Sequence, residues 1–166
     1  MSISDLRHYI DQVQDRHLPE SAPAMTSTAP QHDIDSLDNL ARRRRGQSVL
    51  SQIDGHQGEA VIDSLADINP ALGHHVAAFA FGDIYDRPGL DARSRQLVTL
   101  GALTALGGCE LQLKVHIGAA LNVGISGEEI TEALLHAAVY CGFPRALNAT
   151  FVAREVFAER DNARTS

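Results

Sequence analysis

His116 has the most evident capacity for acid–base chemistry in this sequence, because it lies in the middle of the largely apolar stretch 109–124. An imidazole titrates near neutral pH and can accept or donate a proton. Gln112 precedes it by four residues, so the two side chains share a face if the stretch is helical. Glu110 opens the same stretch, where a helix dipole favours its ionised form. The alternative is a core histidine and an ordinary glutamate at a helix start.

Other side chains offer thiol or anion chemistry. Cys109 stands beside Glu110 at the predicted helix start, a position that lowers a thiol pKa. An arginine can hold a substrate carboxylate through two hydrogen bonds, although a surface ion pair is its commoner role. Four arginines are candidates for carboxylate binding: Arg87, Arg93, Arg95 and Arg145.

Metal and cofactor motifs are not found in this sequence. It contains no His-x-x-x-His pair and no Glu-x-x-His pair, and its two cysteines are too few for a four-cysteine zinc site. A glycine-rich phosphate loop, a dinucleotide fingerprint and a nucleophile elbow are also missing. We therefore expect acid–base and electrostatic catalysis without a metal or an organic cofactor.

The elements that must position these side chains are all predicted to be helices. Apolar residues recur at helical spacing from residue 36 onwards, and no alternating strand pattern occurs. Asp91 is a predicted N-cap, and Ser126 with Glu129 forms a predicted capping box. Gly107 and Gly142 mark predicted helix ends. The fold class is therefore all-α, with about seven or eight helices. The predicted helices comprise residues 37–53, 59–68, 71–85, 92–106, 109–124, 127–141 and 144–157.

The composition indicates one acidic domain with an N-terminal extension. The chain has 166 residues, 44% of them hydrophobic, and a formal net charge of −7, which disfavours nucleic-acid binding. No apolar run could cross a membrane and no secretory signal opens the chain, so we expect a soluble cytoplasmic protein. Residues 1–35 are predicted to be an arm and linker, either a mobile tail or an arm packed on a neighbouring subunit. The helical domain is predicted over residues 36–160, with a tail at 161–166.

Two long motifs then carry a family resemblance. FGDIYDRPGLDARSRQLVTLGALTALGG, residues 81–108, and LKVHIGAALNVGISGEEITEALLHAAVYCGFPRALNA, residues 113–149, resemble the carboxymuconolactone decarboxylase family. With flanking helices the resemblance covers residues 40–160. It implies the all-α helical bundle of AhpD-like proteins and homo-oligomers, commonly trimers or hexamers, with pockets near subunit interfaces. It also implies cofactor-independent decarboxylation of 4-carboxymuconolactone in aromatic catabolism.

The redox branch of this superfamily carries a Cys-x-x-Cys-x-x-x-His motif with a glutamate upstream. On this chain the first cysteine of that motif falls on Cys109 and the histidine on His116. The second cysteine falls on Gln112 and the glutamate near Gln96. Because the resolving thiol is missing, a local dithiol–disulfide cycle cannot run, which disfavours AhpD-like peroxidase activity.

This chain also departs from the decarboxylase pattern. Many members carry Glu at Gln96 and Arg at Gly118, and the namesake enzymes tend to have Trp near Tyr85 and His near Asn148. We predict a carboxy-lyase that acts on a small carboxylated lactone or enolisable acid. His116 is its predicted general acid/base, with Glu110 as a candidate partner. The predicted substrate contacts are Tyr85, Arg93, Gln96, Cys109 and Gln112. The alternatives are an isomerase, cyclase or hydratase of a biosynthetic pathway, a thiol peroxidase, and a non-catalytic oligomeric binding protein.

Overall fold

The structure is a computed structural model that describes residues 34–165, and the predicted N-terminal arm therefore lies almost wholly outside the described residues. Every regular element within this range is helical, which confirms the all-α fold class. The helices are α1 (Leu37–Ile53), α2 (Gly55–Asp63), α3 (Pro70–His75), a π-helix (Val76–Tyr85), α4 (Ala92–Leu106), α5 (Glu110–Asn122), α6 (Gly127–Cys141) and α7 (Phe143–Thr165).

The predicted caps of α4 and α6 are confirmed. The Asp91 carboxylate accepts a hydrogen bond from the Ser94 amide at 2.7 Å. At the start of α6, the Ser126 hydroxyl accepts from the Glu129 amide at 3.1 Å, and the Glu129 carboxylate accepts from the Ser126 amide at 2.8 Å. Each cap satisfies amide groups that have no partner inside the helix. These bonds are local, which is why the sequence predicts them.

Four helix features differ from the sequence prediction, and one of them is the helix predicted over 59–68, which the structure has at Gly55–Asp63. Helix α1 ends at Ile53, shortly before Gly55 with its φ of 62°, but Gly58 lies inside α2 and does not break it. The helix predicted over 71–85 changes from α to π geometry at Val76. Helix α7 continues to Thr165, beyond residue 160, because no glycine or proline follows Pro144 to interrupt it.

Helix α1 crosses the π-helix at a point of very close approach. A Cβ atom added at Gly46 would lie 1.8 Å from the carbonyl oxygen of Ala77, and one added at Gly82 would lie 3.3 Å from the Cα of Gly46. Only glycine allows the two backbones to come this close. The crossing therefore fixes where the π-helix, and with it Tyr85, lies.

Two hydrophobic clusters share helix α5. The first lies among α4, α5, α6 and α7 and includes Leu100, Ile117 and Leu134. The second lies where α1, α2 and the π-helix meet α5, and it consists of Leu50, Ile53, Ile62, Phe81 and Ala119. Val123, directly after the last residue of α5, packs against both clusters. Helix α5, which carries His116, therefore joins the two halves of the core.

Candidate active site

Gln96 and His116 form a polar pair between α4 and α5. The Gln96 side chain is completely buried, and its Oε1 atom lies 3.2 Å from Nδ1 of the half-buried His116. Because an amide oxygen can only accept, this orientation of the amide assigns the proton to Nδ1. The Nε2 atom of His116 then carries a lone pair. This is the acceptor that base chemistry requires.

His116 is neutral at physiological pH. Burial lowers its pKa from 6.5 to about 4, because the imidazolium loses its hydration there. In the free protein the residue is therefore a base and a hydrogen-bond partner. A substrate carboxylate beside the ring would raise the pKa again, since an opposite charge favours the protonated form.

Gln96 has one polar group without a partner among the described residues. Its Nε2 atom is buried and makes no hydrogen bond. A buried donor left unpaired costs about 1–3 kcal/mol, so such groups in native proteins usually face an ordered water or a ligand. The unpaired donor of Gln96 therefore marks a place where a polar atom fits.

Tyr85 is bonded to α4 one helical turn from Gln96. Its hydroxyl is 2.7 Å from Oγ1 of Thr99, which itself donates to the carbonyl oxygen of Arg95 at 3.0 Å. Tyr85 is therefore the donor in the bond to Thr99. Thr99 follows Gln96 by three residues and so shares its face of α4. Burial raises the pKa of Tyr85, and the nearby carboxylate of Asp54 raises it further.

Asp54, which the sequence analysis did not single out, lies at the junction of α1 and α2. This side chain is only 4% exposed, and its Oδ1 atom has no hydrogen-bond partner among the described residues. Burial raises its pKa from 3.8 to about 7. The sequence offered one weak signal, an acidic residue directly after the buried end of an apolar helix. That pattern is far commoner at exposed helix ends.

The sequence analysis also missed Gln57, although Gly118 was noted. A Cβ atom added at Gly118 would lie 2.7 Å from Oε1 of Gln57. Gln57 of α2 therefore occupies the space that a side chain at position 118 would need. The glycine at position 118 therefore leaves room for the side-chain amide of Gln57, which lies against α5.

Arg93 is engaged at the start of α6. Its guanidinium donates to the carbonyl oxygen of Gly124, and it forms a 2.7 Å ion pair with Glu129. Glu129 also belongs to the capping box of α6. The predicted role of Arg93 as a carboxylate anchor stays a prediction, and the geometry gives this residue a structural role as well.

Glu110, Cys109 and Gln112 surround the N-terminus of α5. Glu110 and Cys109 line a small crevice with Arg145 and Asn148. The Cys109 thiol donates to the carbonyl oxygen of Leu103 at 3.2 Å. Gln112 is exposed. Among residues 34–165, no hydrogen bond or ion pair joins Glu110 to His116, so the catalytic roles of this group stay predictions.

A large open groove lies on the opposite side of α4. It encloses about 800 Å³ between α4 and α6, and its walls include Leu97, Val98, Ala137 and Tyr140. Gln96 points inward from the same helix, so the groove does not include the Gln96–His116 pair. Its lining is mainly apolar and its mouth is wide. These features are more typical of a protein contact than of a site for acid–base chemistry.

Between residues 34 and 165, no three His, Cys, Asp or Glu side chains are grouped so that they could hold a metal ion. Within the same range, no helix combines the length and the apolar character that crossing a bilayer requires.

Comparison with known proteins decides the family. The sequence model of the carboxymuconolactone decarboxylase family matches residues 70–155, which is more than half of the chain. The chain belongs to the carboxymuconolactone decarboxylase family. Tyr85, Gln96 and His116 lie within the matched residues. Asp54 and Gln57 precede them.

Three known proteins are similar in sequence to this chain. The chain is 34% identical over 124 residues to 4-carboxymuconolactone decarboxylase of Acinetobacter baylyi, which covers 74% of this chain and 92% of the relative. It is 36% identical over 121 residues to nitrosuccinic acid decarboxylase of Metarhizium robertsii, covering 71% and 84%. It is also 38% identical over 93 residues to an uncharacterized 15.0 kDa protein of Paracoccus denitrificans, covering 55% and 69%. Family membership and the names of two relatives support an enzyme of the decarboxylase type.

Proposed function

We propose that this protein is a cofactor-independent carboxy-lyase that acts on a small carboxylated lactone or enolisable acid, with His116 as general acid/base. The observation that carries the proposal is the Gln96–His116 pair. It presents a neutral imidazole, with Nδ1 held by Gln96, in the part of the chain that the family model matches. An imidazole fixed at one nitrogen presents the other in a defined direction.

The names of two relatives narrow the class of substrate that we propose for this chain. One relative is named for a lactone acid and the other for a nitro acid. A lactone carbonyl and a nitro group can both accept the electron pair that is left when carbon dioxide departs. The substrate of this chain is therefore proposed to carry a carboxylate and an electron-accepting group that is conjugated to the bond that breaks.

The residues of the site fit such a reaction. The carbon–carboxylate bond breaks, carbon dioxide leaves, and the electron pair moves to the accepting group. A proton then adds to the carbon that carries the new electron density. His116, once protonated beside an anionic substrate, can deliver that proton. Partial burial of the site favours dispersal of the carboxylate charge over a larger anion.

The test is turnover followed by product mass. Purified protein is incubated with 4-carboxymuconolactone and, separately, with nitrosuccinic acid. Loss of carbon dioxide by wild type, reduced about 100-fold or more in His116→Ala, is the expected result. His56→Ala is the matched control, because the His56 side chain is 96% exposed. Full activity of a folded His116→Ala protein would refute the assignment.

A second reaction type stays open on the same fold. Gln96 gives the site an uncharged amide, and an isomerase, cyclase or hydratase can use the same histidine as its acid or base. A product of unchanged mass, or one heavier by a water molecule, would identify such an enzyme. The same incubations distinguish these outcomes without further design.

We also propose that the protein is a homo-oligomer in which a second copy of this chain covers the apolar face of α6 and α7. Val139, Tyr140 and Phe143 are 75%, 80% and 73% exposed. Tyr140 lines the open groove, and Val139 and Phe143 line a second groove that shares Glu132 and His136 with it. Contiguous exposed apolar side chains of this kind are typical of subunit contacts. Native mass spectrometry of wild type and Val139→Glu tests it, with a monomeric wild type as the contrary result.

A further inference from the structure

The open groove between α4 and α6 is apolar along most of its length and acidic at one end. Leu97 and Val98 of α4 and Ala137 of α6 belong to its apolar wall. Glu128 and Glu132, near the start of α6, also line it, and both side chains are exposed. Among the described residues that line the groove, none is a lysine or an arginine. Its acidic end therefore offers carboxylates to a positive charge from outside the groove.

The outer face of α7 carries an apolar stripe that ends in a positive charge. Phe143, Leu147 and Phe151 recur every four residues, so they share one face of the helix, and they are 73%, 53% and 49% exposed. Arg154 follows on the same face, with its guanidinium carbon 5.2 Å from the centroid of the Phe151 ring. Within residues 34–165, Arg154 forms no ion pair. These four residues are called the α7 stripe below.

The stripe and the groove match in length and in charge. At 1.5 Å per residue, Phe143 and Arg154 are about 17 Å apart along α7, and Glu128 and Tyr140 are about 18 Å apart along α6. The exposed Tyr140 lines the groove at the end away from the glutamates. An α7 helix that lies antiparallel to α6 in the groove would therefore bring Phe143 to Tyr140 and Arg154 to the two glutamates.

The α7 helix of the same chain cannot make this contact. It packs its opposite face into the bundle, where Ala149, Val152 and Val156 are buried in the first hydrophobic cluster. The stripe therefore points away from the bundle to which the groove of its own chain belongs. A second copy carries the same stripe on a free surface. The contact would be head-to-tail, since each copy contributes its groove to one neighbour and its stripe to another.

We propose that a second copy of this chain places its α7 stripe in the groove between α4 and α6, with its Arg154 paired to Glu128 and Glu132. This inference rests on the homo-oligomer proposed above, and it names the two surfaces that meet. Removal of the apolar side chains from water supplies most of the stabilisation. The charges at the end of the groove fix the direction in which the helix lies.

Charge reversal tests the pairing. Arg154→Glu places a third carboxylate beside Glu128 and Glu132, so the dissociation constant of the oligomer should rise at least about tenfold. The double variant Glu128→Arg with Glu132→Arg should weaken assembly to a similar extent. Arg44→Glu is the matched control, because Arg44 is exposed on α1 and belongs to neither surface. Sedimentation velocity over a concentration series measures assembly, and circular dichroism confirms that each variant is folded.

Recombination of the reversed charges makes the test specific. The triple variant, which carries both sets of changes, should recover at least about tenfold of the lost affinity, because opposite charges face each other again. A mixture of Arg154→Glu with the double variant should also assemble, since a head-to-tail contact then pairs an unchanged stripe with an unchanged groove. Folded single and double variants that each stay dissociated alone but assemble when mixed would be the expected result.

The contrary results separate this contact from the homo-oligomer itself. Wild-type affinity in Arg154→Glu, or no recovery in the triple variant, would overturn the contact while the oligomer remains. A loss of assembly in Arg44→Glu equal to that in Arg154→Glu would overturn it too, because the effect would then follow net charge alone. A monomeric wild type would overturn both the contact and the homo-oligomer.

Discussion

Gln96 Oε1 lies 3.2 Å from Nδ1 of His116, and the carbonyl end of the amide thus holds the imidazole from inside the core. The amide is uncharged, so it fixes the ring without raising its pKa. This combination explains why a histidine can sit half-buried and remain neutral at physiological pH. It also makes the protonation of His116 sensitive to any charge placed on position 96.

The first prediction concerns a negative charge placed at position 96. Gln96→Glu should raise the pKa of His116 from about 4 to above its ordinary value of 6.5, because a carboxylate beside the ring stabilises the imidazolium. NMR titration of the His116 ring proton measures the shift. Gln112→Glu is the matched control, since Gln112 is exposed and one turn away from His116. An unchanged pKa in Gln96→Glu would show that position 96 does not control His116.

The second prediction concerns the pH dependence of stability. The pKa of Asp54 is raised on folding from 3.8 to about 7, so its contribution to the free energy of unfolding falls by about 4 kcal/mol as pH rises through that window. The pKa of His116 is lowered from 6.5 to about 4, so its contribution rises by about 3 kcal/mol over a similar window. The two effects oppose each other in wild type.

Single variants should reveal how each group alone changes the free energy of unfolding with pH. Asp54→Asn should become more stable as pH rises from about 4 to 6.5, whereas His116→Gln should become less stable over the same range. Urea unfolding at several pH values, followed by circular dichroism, measures both slopes. Parallel pH profiles for the two variants would show that these groups do not titrate as described.

The third prediction concerns the crossing of α1 and the π-helix. Gly46→Ala should prevent folding or cost more than about 3 kcal/mol, because the new methyl group would lie 1.8 Å from the Ala77 carbonyl oxygen. Gly101→Ala is the control, since nothing lies within 4 Å of its added Cβ. That variant should gain up to about 1 kcal/mol from helix propensity. A thermal melt distinguishes them, and similar melting temperatures would contradict the close crossing.

The fourth prediction compares two tightly packed glycines, Gly58 and Gly118. Gly58→Ala places a methyl group 2.6 Å from the Cβ of Asp54, which cannot move without shifting the α1–α2 junction. Gly118→Ala meets only the end of the Gln57 side chain, at 2.7 Å, and that end can rotate away. Gly58→Ala should therefore lower the free energy of unfolding by about 1–3 kcal/mol, and Gly118→Ala should cost less than about 1 kcal/mol. Urea unfolding measures both, and equal losses of stability would contradict the close packing of Gly58 against Asp54.

Much of the fold could be predicted from local sequence. Asp91, Ser126 and Glu129 satisfy amides within one turn of their own positions, and Gly107 and Gly142 end helices through their own backbone angles. Gly58 was misjudged because its effect depends on Asp54, a packing contact rather than a local preference. The π geometry after Val76 was also missed, since its helical periodicity resembles that of an α-helix over so short a segment.

The sequence by itself determined the all-α class and the family resemblance, and it named His116 and Gln96 as candidate site residues, because helix periodicity, caps and long motifs depend on residues that are neighbours in the chain. Only the tertiary structure decided that Gln96 turns its amide oxygen to His116 and that Arg93 binds Glu129. It alone decided that Asp54 is buried with a raised pKa. The physical reason is that burial and pairing depend on contacts between residues far apart in the chain, and those contacts set the protonation states on which the chemistry depends.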